Sequence, residues 1–150
     1  MTNILADYKI GDNGEKQVSD ELAELGYSVV LNDDQSKRYD YDIKITNIDK
    51  TAEVKNDAFS AKTGNIALEY FNSKVNKPSG VTVTKADFWC HIIKGKVYVA
   101  TVEKLRQFIA QNKPKRTVKF AGDNNADIYL YSIQDAMKVF IPINRIGEIL

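Results

Sequence analysis

YDYDIKITNIDKTAEVKND, running from Tyr39 to Asp57, reads as two strands joined by a short polar turn. Asp40, Asp42 and Lys44 share one parity while Ile43 and Ile45 hold the other, and beyond the turn Glu53 and Lys55 alternate with Ala52 and Val54. A turn at Asn47 to Lys50 predicts antiparallel pairing of Ile45 with Ala52, Ile43 with Val54, Lys44 with Glu53 and Asp42 with Lys55. One face of that hairpin is apolar, and the other gathers two carboxylates and two amines.

The polar face has two readings. In the first it is a solvated surface laced with cross-strand ion pairs, each contributing about 0.2–1 kcal/mol. In the second it is a metal site: Asp42 and Glu53 offer hard oxygen ligands to one Mg²⁺, and Lys55 follows two residues later on the same face. Phosphodiester hydrolysis needs those parts. A cation polarises the phosphate and acidifies a water, and an ammonium orients that water or stabilises the developing charge.

Asp42 followed by Glu53-Val54-Lys55 resembles the motif of the PD-(D/E)XK phosphodiesterase superfamily, which includes restriction endonucleases, junction resolvases and phage exonucleases. Tyr41 stands where the family often has proline, a departure that removes no chemical group. The resemblance implies a restriction-endonuclease-like α/β (α+β) fold, a mixed sheet flanked by helices. It also implies a Mg²⁺-dependent deoxyribonuclease, with Mn²⁺ as a substitute ion. Asp42 and Glu53 are then metal ligands, and Lys55 positions the attacking water. Many members place a glutamate of the first helix toward the metal, and Glu15 occupies the matching position. An acid in the first turn of a helix is also favoured simply by the helix dipole.

The rest of the chain sets bounds on this reading. Its 150 residues, 43% hydrophobic and 10% aromatic, predict one globular domain over residues 1–150. The net charge of +1 excludes a blanket electrostatic grip on nucleic acid, so DNA contact requires a local patch. Cys90 is the lone cysteine, which excludes an internal disulfide and a cysteine zinc set. The absence of a signal sequence or long apolar run predicts a cytoplasmic protein without membrane contact.

Met1 to Ile10 reads as an arm, and Gly11-Asp12-Asn13-Gly14 as a helix start. Val18, Leu22 and Leu25 then form the buried stripe of a helix stopped by Gly26. Tyr27 to Leu31 reads as a strand and Asn32 to Arg38 as a loop, so the order of helix and three strands agrees with the start of the αβββαβ family core. Asn56 to Asn65 reads as a polar loop flanking the site, and Ile66 to Phe71 as a strand carrying Glu69, an additional metal ligand or an exposed strand acid. Lys74 and Lys77 fall in a loop from Asn72 to Gly80, where they offer either phosphate contacts or simple solubility, and Thr82 to Asp87 predicts a short helical turn capped by Thr84 where the family has a crossover helix.

Asp87 to Ile93 and Lys96 to Ala100 predict an additional hairpin about Lys94-Gly95. Phe88 and Trp89 lie on opposite parities, and Trp89 offers either core packing or base stacking. His91, the one histidine, has no neighbouring acid cluster in the sequence and receives no role. Thr101 caps a helix with Val102, Leu105, Phe108 and Ile109 on its apolar stripe. The run from Lys113 to Lys119, with Lys115 and Arg116, is the most basic in the chain and the best phosphate-binding segment in the nuclease reading; otherwise it is a solvated loop. Strands are predicted at Asp127 to Ile133 and, broken by Pro142, at Val139 to Ile143.

Three function classes therefore stand after the sequence. The first is a DNA nuclease, in which a double-strand cutter with one site per chain requires a two-fold homodimer. The second is a non-catalytic DNA- or protein-binding module on the same fold. The third is a small interaction protein with no nucleic acid, its polar hairpin face merely solvated.

Overall fold

Two sheets meet across a shared core in the structure, a computed structural model that describes residues 4–32, 40–121 and 125–150. The fold is α+β, as expected. The first sheet has the order β1 (Val29–Leu31), β2 (Ile43–Ile45), β3 (Lys50–Asp57), β6 (Phe88–Ile93), β7 (Lys96–Thr101) and β10 (Ile141–Pro142). The second has the order β5 (Lys77–Pro78), β4 (Asn65–Asn72), β9 (Ala126–Ser132) and β8 (Arg116–Ala121). The β3–β6 pair is parallel and every other pair is antiparallel. Parallel neighbours need a long crossover. Here β4 and β5 lie within that crossover, so strands of the second sheet occupy the place where the resemblance implies a crossover helix.

Strand β6 explains the architecture. All six of its residues are buried, the mark of a strand covered on both faces. Phe88, Cys90 and Ile92 join Ile43, Ile45, Ala52 and Val54 against Val18 and Leu22 of the helix α1 (Ile4–Glu24). Trp89 and Ile93 join Ile66, Leu68 and Tyr131 of the second sheet against Leu105 and Phe108 of α3 (Val102–Gln111). The opposite parities of Phe88 and Trp89 thus serve two cores, and the full burial of Trp89 rules it out as a base-stacking platform.

Helix α1 begins at Ile4, so the arm expected up to Ile10 is helical over its described part, and the Gly11–Gly14 cluster lies inside the helix rather than at its start. Gly14 is needed there for close approach: a Cβ would stand 3.1 Å from that of Asn56. Gly26, at φ +95°, ends the helix as expected, whereas Leu25 is exposed and does not belong to the buried stripe. Thr101 caps α3 by accepting from the Lys104 N–H. Ile133–Ala136 forms a further short helix, α4, within the region read as strand and turn.

The central hairpin forms with a register two residues tighter than expected. Ile45 pairs with Lys50, Lys44 with Thr51 and Ile43 with Ala52. The cause is the turn: Thr46–Ile48 winds into one 3₁₀ turn, and Asp49 takes a left-handed conformation at φ 51°, its N–H donating to the Thr46 carbonyl. A shift of two preserves parity, so Ile43, Ile45, Ala52 and Val54 keep their core face. Burying each of the isoleucines and the valine is worth about 1.5–3 kcal/mol, against about 0–1 kcal/mol for an exposed ion pair. The apolar face, not the Lys44–Asp49 ion pair, fixes the hairpin.

Other boundaries move for local reasons. Strand β3 runs on to Asp57, and the expected loop after it contains α2 (Ser60–Thr63), ended by Gly64 at φ +71°. Lys77 lies on the edge strand β5 rather than in a loop, and Gly80–Thr82 is a 3₁₀ turn that Thr84 does not cap. Arg116 and Lys119 lie on β8, which the reading of this run as a loop missed. Pro142 sits on the edge strand β10, where its missing N–H costs no ladder bond. Residues 33–39 of the expected first loop lie outside the described residues, as do residues 122–124.

Candidate active site

The tighter register changes who faces whom on the polar side. Asp42 lies just before β2, where its N–H donates to the Ala52 carbonyl at 3.0 Å and its Oδ2 accepts from the Val54 N–H at 2.7 Å. Asp42 is therefore held against β3 beside Glu53, not opposite Lys55 as expected. Lys44 likewise pairs with Asp49 instead of Glu53. Lys55 Nζ stands 3.8 Å from Glu53 Oε1, and the Thr84 hydroxyl lies 3.4 Å from Glu53 Oε2. That hydroxyl is also 3.3 Å from the Asp40 carbonyl, and it accepts from the Ala86 N–H.

The electrostatics follow from crowding acids away from water. Burial pushes the Glu53 carboxyl up to about 7, with the Asp42 charge adding to the rise and Lys55 and the Thr84 hydrogen bond opposing it. Glu15 is close enough to add a further upward push. Burial also raises Asp42, against the Val54 N–H and Lys55, which favour its charged form. Lys55 is the accessible member, its side chain 42% exposed where that of Glu53 is 15% exposed.

Asp42, Glu53 and Lys55 are thus brought together, with Glu15 at their margin. Glu69 is elsewhere, on β4 across a cleft of about 310 Å³ that it shares with Lys55. Among the described residues, no three His, Cys, Asp or Glu side chains converge into a ready metal site. Asp42 and Glu53 alone supply two hard oxygen donors, a set that suits Mg²⁺ completed by water.

The expected phosphate contacts divide into two groups at opposite ends of β4. Lys77 pairs with Asn72 at one end, with Lys74 exposed in the adjoining turn. At the other end Lys115 Nζ reaches the Asn65 side chain at 3.4 Å, with Arg116 beside it opening β8 and Lys113 exposed just upstream, whereas Lys119, further along β8, lies toward the Asn72 end.

A polar network beside the site went unread in the sequence. His91, fully buried, accepts from Trp89 Nε1 through Nδ1 at 3.0 Å, and its Nε2 lies 3.0 Å from Asp57 Oδ2. The indole only donates, so Nδ1 is bare and Nε2 carries the proton given to Asp57. The same Asp57 oxygen accepts from the Ala67 N–H at 2.9 Å, tying the free edge of β4 to the first sheet. The missing signal was the β3–β6 register, which sets His91 beside Lys55 across a separation no local pattern spans.

Comparison of the chain with protein-family models, with curated proteins and with solved structures finds no match. Among the described residues no helix is long and apolar enough to cross a membrane.

Proposed function

We propose that the chain is a metal-dependent DNA nuclease of the PD-(D/E)XK kind. The observation that carries this reading is the meeting of two desolvated carboxylates, Asp42 before β2 and Glu53 on β3, with the accessible ammonium of Lys55 on β3. A buried acid whose proton affinity is raised by burial and by a second acid beside it is an arrangement that a divalent cation relieves. Asp42 and Glu53 would hold Mg²⁺ or Mn²⁺, which when bound supplies charge stabilisation and an acidified water.

The chain's own residues do the positioning. Val54 N–H fixes the Asp42 carboxylate, and Thr84 steadies Glu53. Lys55, free to reach outward, orients the attacking water or the phosphate oxygen that gains charge. Glu15 adds negative potential at the margin. Glu69, across the cleft, is a less direct ligand than the first pair. DNA would run over the second sheet, with Lys113, Lys115 and Arg116 contacting phosphates at one end of β4 and Lys119, Lys74 and Lys77 toward the other. Cutting both strands would require a homodimer.

The lack of a three-ligand cluster among the described residues favours one second reading, a non-catalytic DNA-binding module on this fold. One experiment separates the two. Wild type and Glu53→Ala are incubated with linear, nicked, branched and single-stranded DNA in Mg²⁺, Mn²⁺ or EDTA. Cleavage by wild type alone, and only with metal, is expected. Equal inertness of both proteins with salt-sensitive DNA binding would leave the binding module.

A further inference from the structure

The cleft beside Lys55 has a composition that phosphate chemistry does not call for. Its first-sheet wall holds Lys55 and His91, its second-sheet wall holds Ala67, Glu69 and Ile128, and Phe59 stands at its rim. Phe59 is 69% exposed, yet it is not on a loose loop. The next residue, Ser60, is fully buried, donates to the Asp57 carbonyl at 2.9 Å and accepts from the Lys94 N–H at 3.0 Å. The Phe59 carbonyl in turn accepts from Lys62 and Thr63 N–H groups, each at 3.0 Å. A rigid turn thus holds an aromatic ring in water at the mouth of a cleft.

The inner wall is equally specific. On β4, Ala67 and Glu69 share a parity, and through the ladder they stand beside Leu130 and Ile128 of β9. Ile128 and Leu130 are half-buried and belong to neither core. Among the described residues no side chain pairs with the Glu69 carboxylate. The cleft, which Asn56 and Asp57 also line, therefore offers apolar surface, an aromatic edge and, in Glu69, a carboxylate that no side chain among the described residues engages, whereas Asp57 Oδ2 is already taken by His91 and the Ala67 N–H. Its volume falls at the small end of the range for ligand pockets, about 300–1,000 Å³.

We infer that this cleft is a nucleotide subsite, which takes an unpaired base of the DNA strand next to the phosphate held at Lys55, with Phe59 stacking on the base and Glu69 accepting from its exocyclic amine. This rests on the nuclease reading for the phosphate, and it deepens that reading by naming the substrate as DNA with an unpaired base at the cut. Phosphate itself would be repelled by Glu69, whereas the flat, apolar faces of a base suit Phe59 and Ile128. Cytosine and adenine present an amino group to a carboxylate; thymine presents a carbonyl at the corresponding position. A base in an intact duplex must first be unstacked and unpaired, so single-stranded and mismatched DNA enters at lower cost. Continuity fixes the order along the strand, because Lys55 belongs both to the acid cluster and to the cleft.

Two readouts test the inference and keep its failure apart from that of the nuclease reading. The first is Mg²⁺-dependent cleavage of oligonucleotides with an unpaired dC or dT at one position, by wild type, Phe59→Ala and Glu69→Gln. The second is fluorescence of 2-aminopurine at that position, bound to the Glu53→Ala protein with and without Phe59→Ala. Phe59→Ala is expected to lower cleavage of unpaired substrates about tenfold and to remove the fluorescence quenching. Wild type is expected to favour dC over dT, and Glu69→Gln, whose amide donates as well as accepts, to narrow that preference. Cleavage indifferent to both substitutions, with quenching unchanged, overturns the subsite and keeps the nuclease. Quenching that depends on Phe59 without any cleavage keeps the subsite and overturns the nuclease; neither signal overturns both.

Discussion

Glu53 and Asp57 lie four residues apart on one face of β3, and their surroundings could hardly differ more. Asp57, its side chain 8% exposed, receives one Oδ2 hydrogen bond from His91 and another from the Ala67 N–H, both at 3.0 Å or less. Glu53, 15% exposed, has only an ammonium at 3.8 Å and a hydroxyl at 3.4 Å, and it faces a second buried acid. Burial of a carboxylate is tolerated when donors replace the lost water, and it raises proton affinity when they do not. The contrast separates a carboxylate whose work is structural from one whose charged partner is a distant, accessible ammonium. It is the under-satisfied end of β3 that the proposed cation would neutralise.

The largest effect should come from removing the chemistry at that end. Lys55→Ala is expected to lower metal-dependent cleavage by at least about 10²–10³-fold while leaving the denaturation midpoint within error, because Lys55 is exposed and supports no core contact. Asp42→Asn should abolish Mg²⁺ binding measured by calorimetry. Retained cleavage in the first variant, or unchanged affinity in the second, would break the assignment of chemistry to this end of the strand.

At the other end the expected loss is one of stability. Asp57→Ala leaves the buried His91 Nε2–H and the Ala67 N–H without an acceptor, at about 1–3 kcal/mol for each. Urea denaturation should show a loss of about 3 kcal/mol, with cleavage per folded molecule reduced far less than in Lys55→Ala. A fully stable Asp57→Ala protein would mean that the two sheets do not depend on this link.

The two ends of β3 were also unequally legible. Glu53 and Lys55 announce themselves by alternation with Ala52 and Val54, and the preserved parity kept their face right even though the turn chemistry of Asp49 shifted the register. The pairing of Asp42 with Glu53 was lost in that shift, since a left-handed aspartate cannot be told from an ordinary one by its neighbours. Asp57 and His91 left no local trace at all. Their meeting depends on a parallel pairing across two inserted strands, and a lone histidine without a nearby acid reads as inert. The second sheet was invisible for the same reason: β4 and β9 were recognisable as strands, but β5 and β8 read as loops, and the order β5-β4-β9-β8 is set by long-range contacts.

A smaller effect should appear as a pH dependence of stability. The unfolded chain releases the Glu53 proton near the ordinary 4.5, whereas the folded chain keeps it up to about 7. Proton binding therefore favours the fold, fully below 4.5, and that contribution is lost as pH rises through 7. For this one group the change amounts to about 3 kcal/mol at most. Glu53→Gln should flatten the decline, and Mg²⁺ should stabilise wild type more at pH 8 than at pH 5. A wild-type profile that matches that of Glu53→Gln in metal-free buffer would show that the carboxyl is better solvated than its burial implies.

The smallest change tests what holds Glu53 from behind. The Thr84 hydroxyl has one proton and two acceptors within reach, Glu53 Oε2 at 3.4 Å and the Asp40 carbonyl at 3.3 Å. A donor to the carboxylate favours its charged form, so Thr84→Val should move the Glu53 titration still higher, with a stability change of about 1 kcal/mol. Carbon-detected NMR titration of the side chain reads the shift directly. An upward move assigns the proton to Glu53 and makes Thr84 the counterpart of His91 at the other end of the strand. An unmoved titration assigns it to Asp40, and leaves Glu53 with Lys55 alone, which sharpens the contrast with Asp57 further.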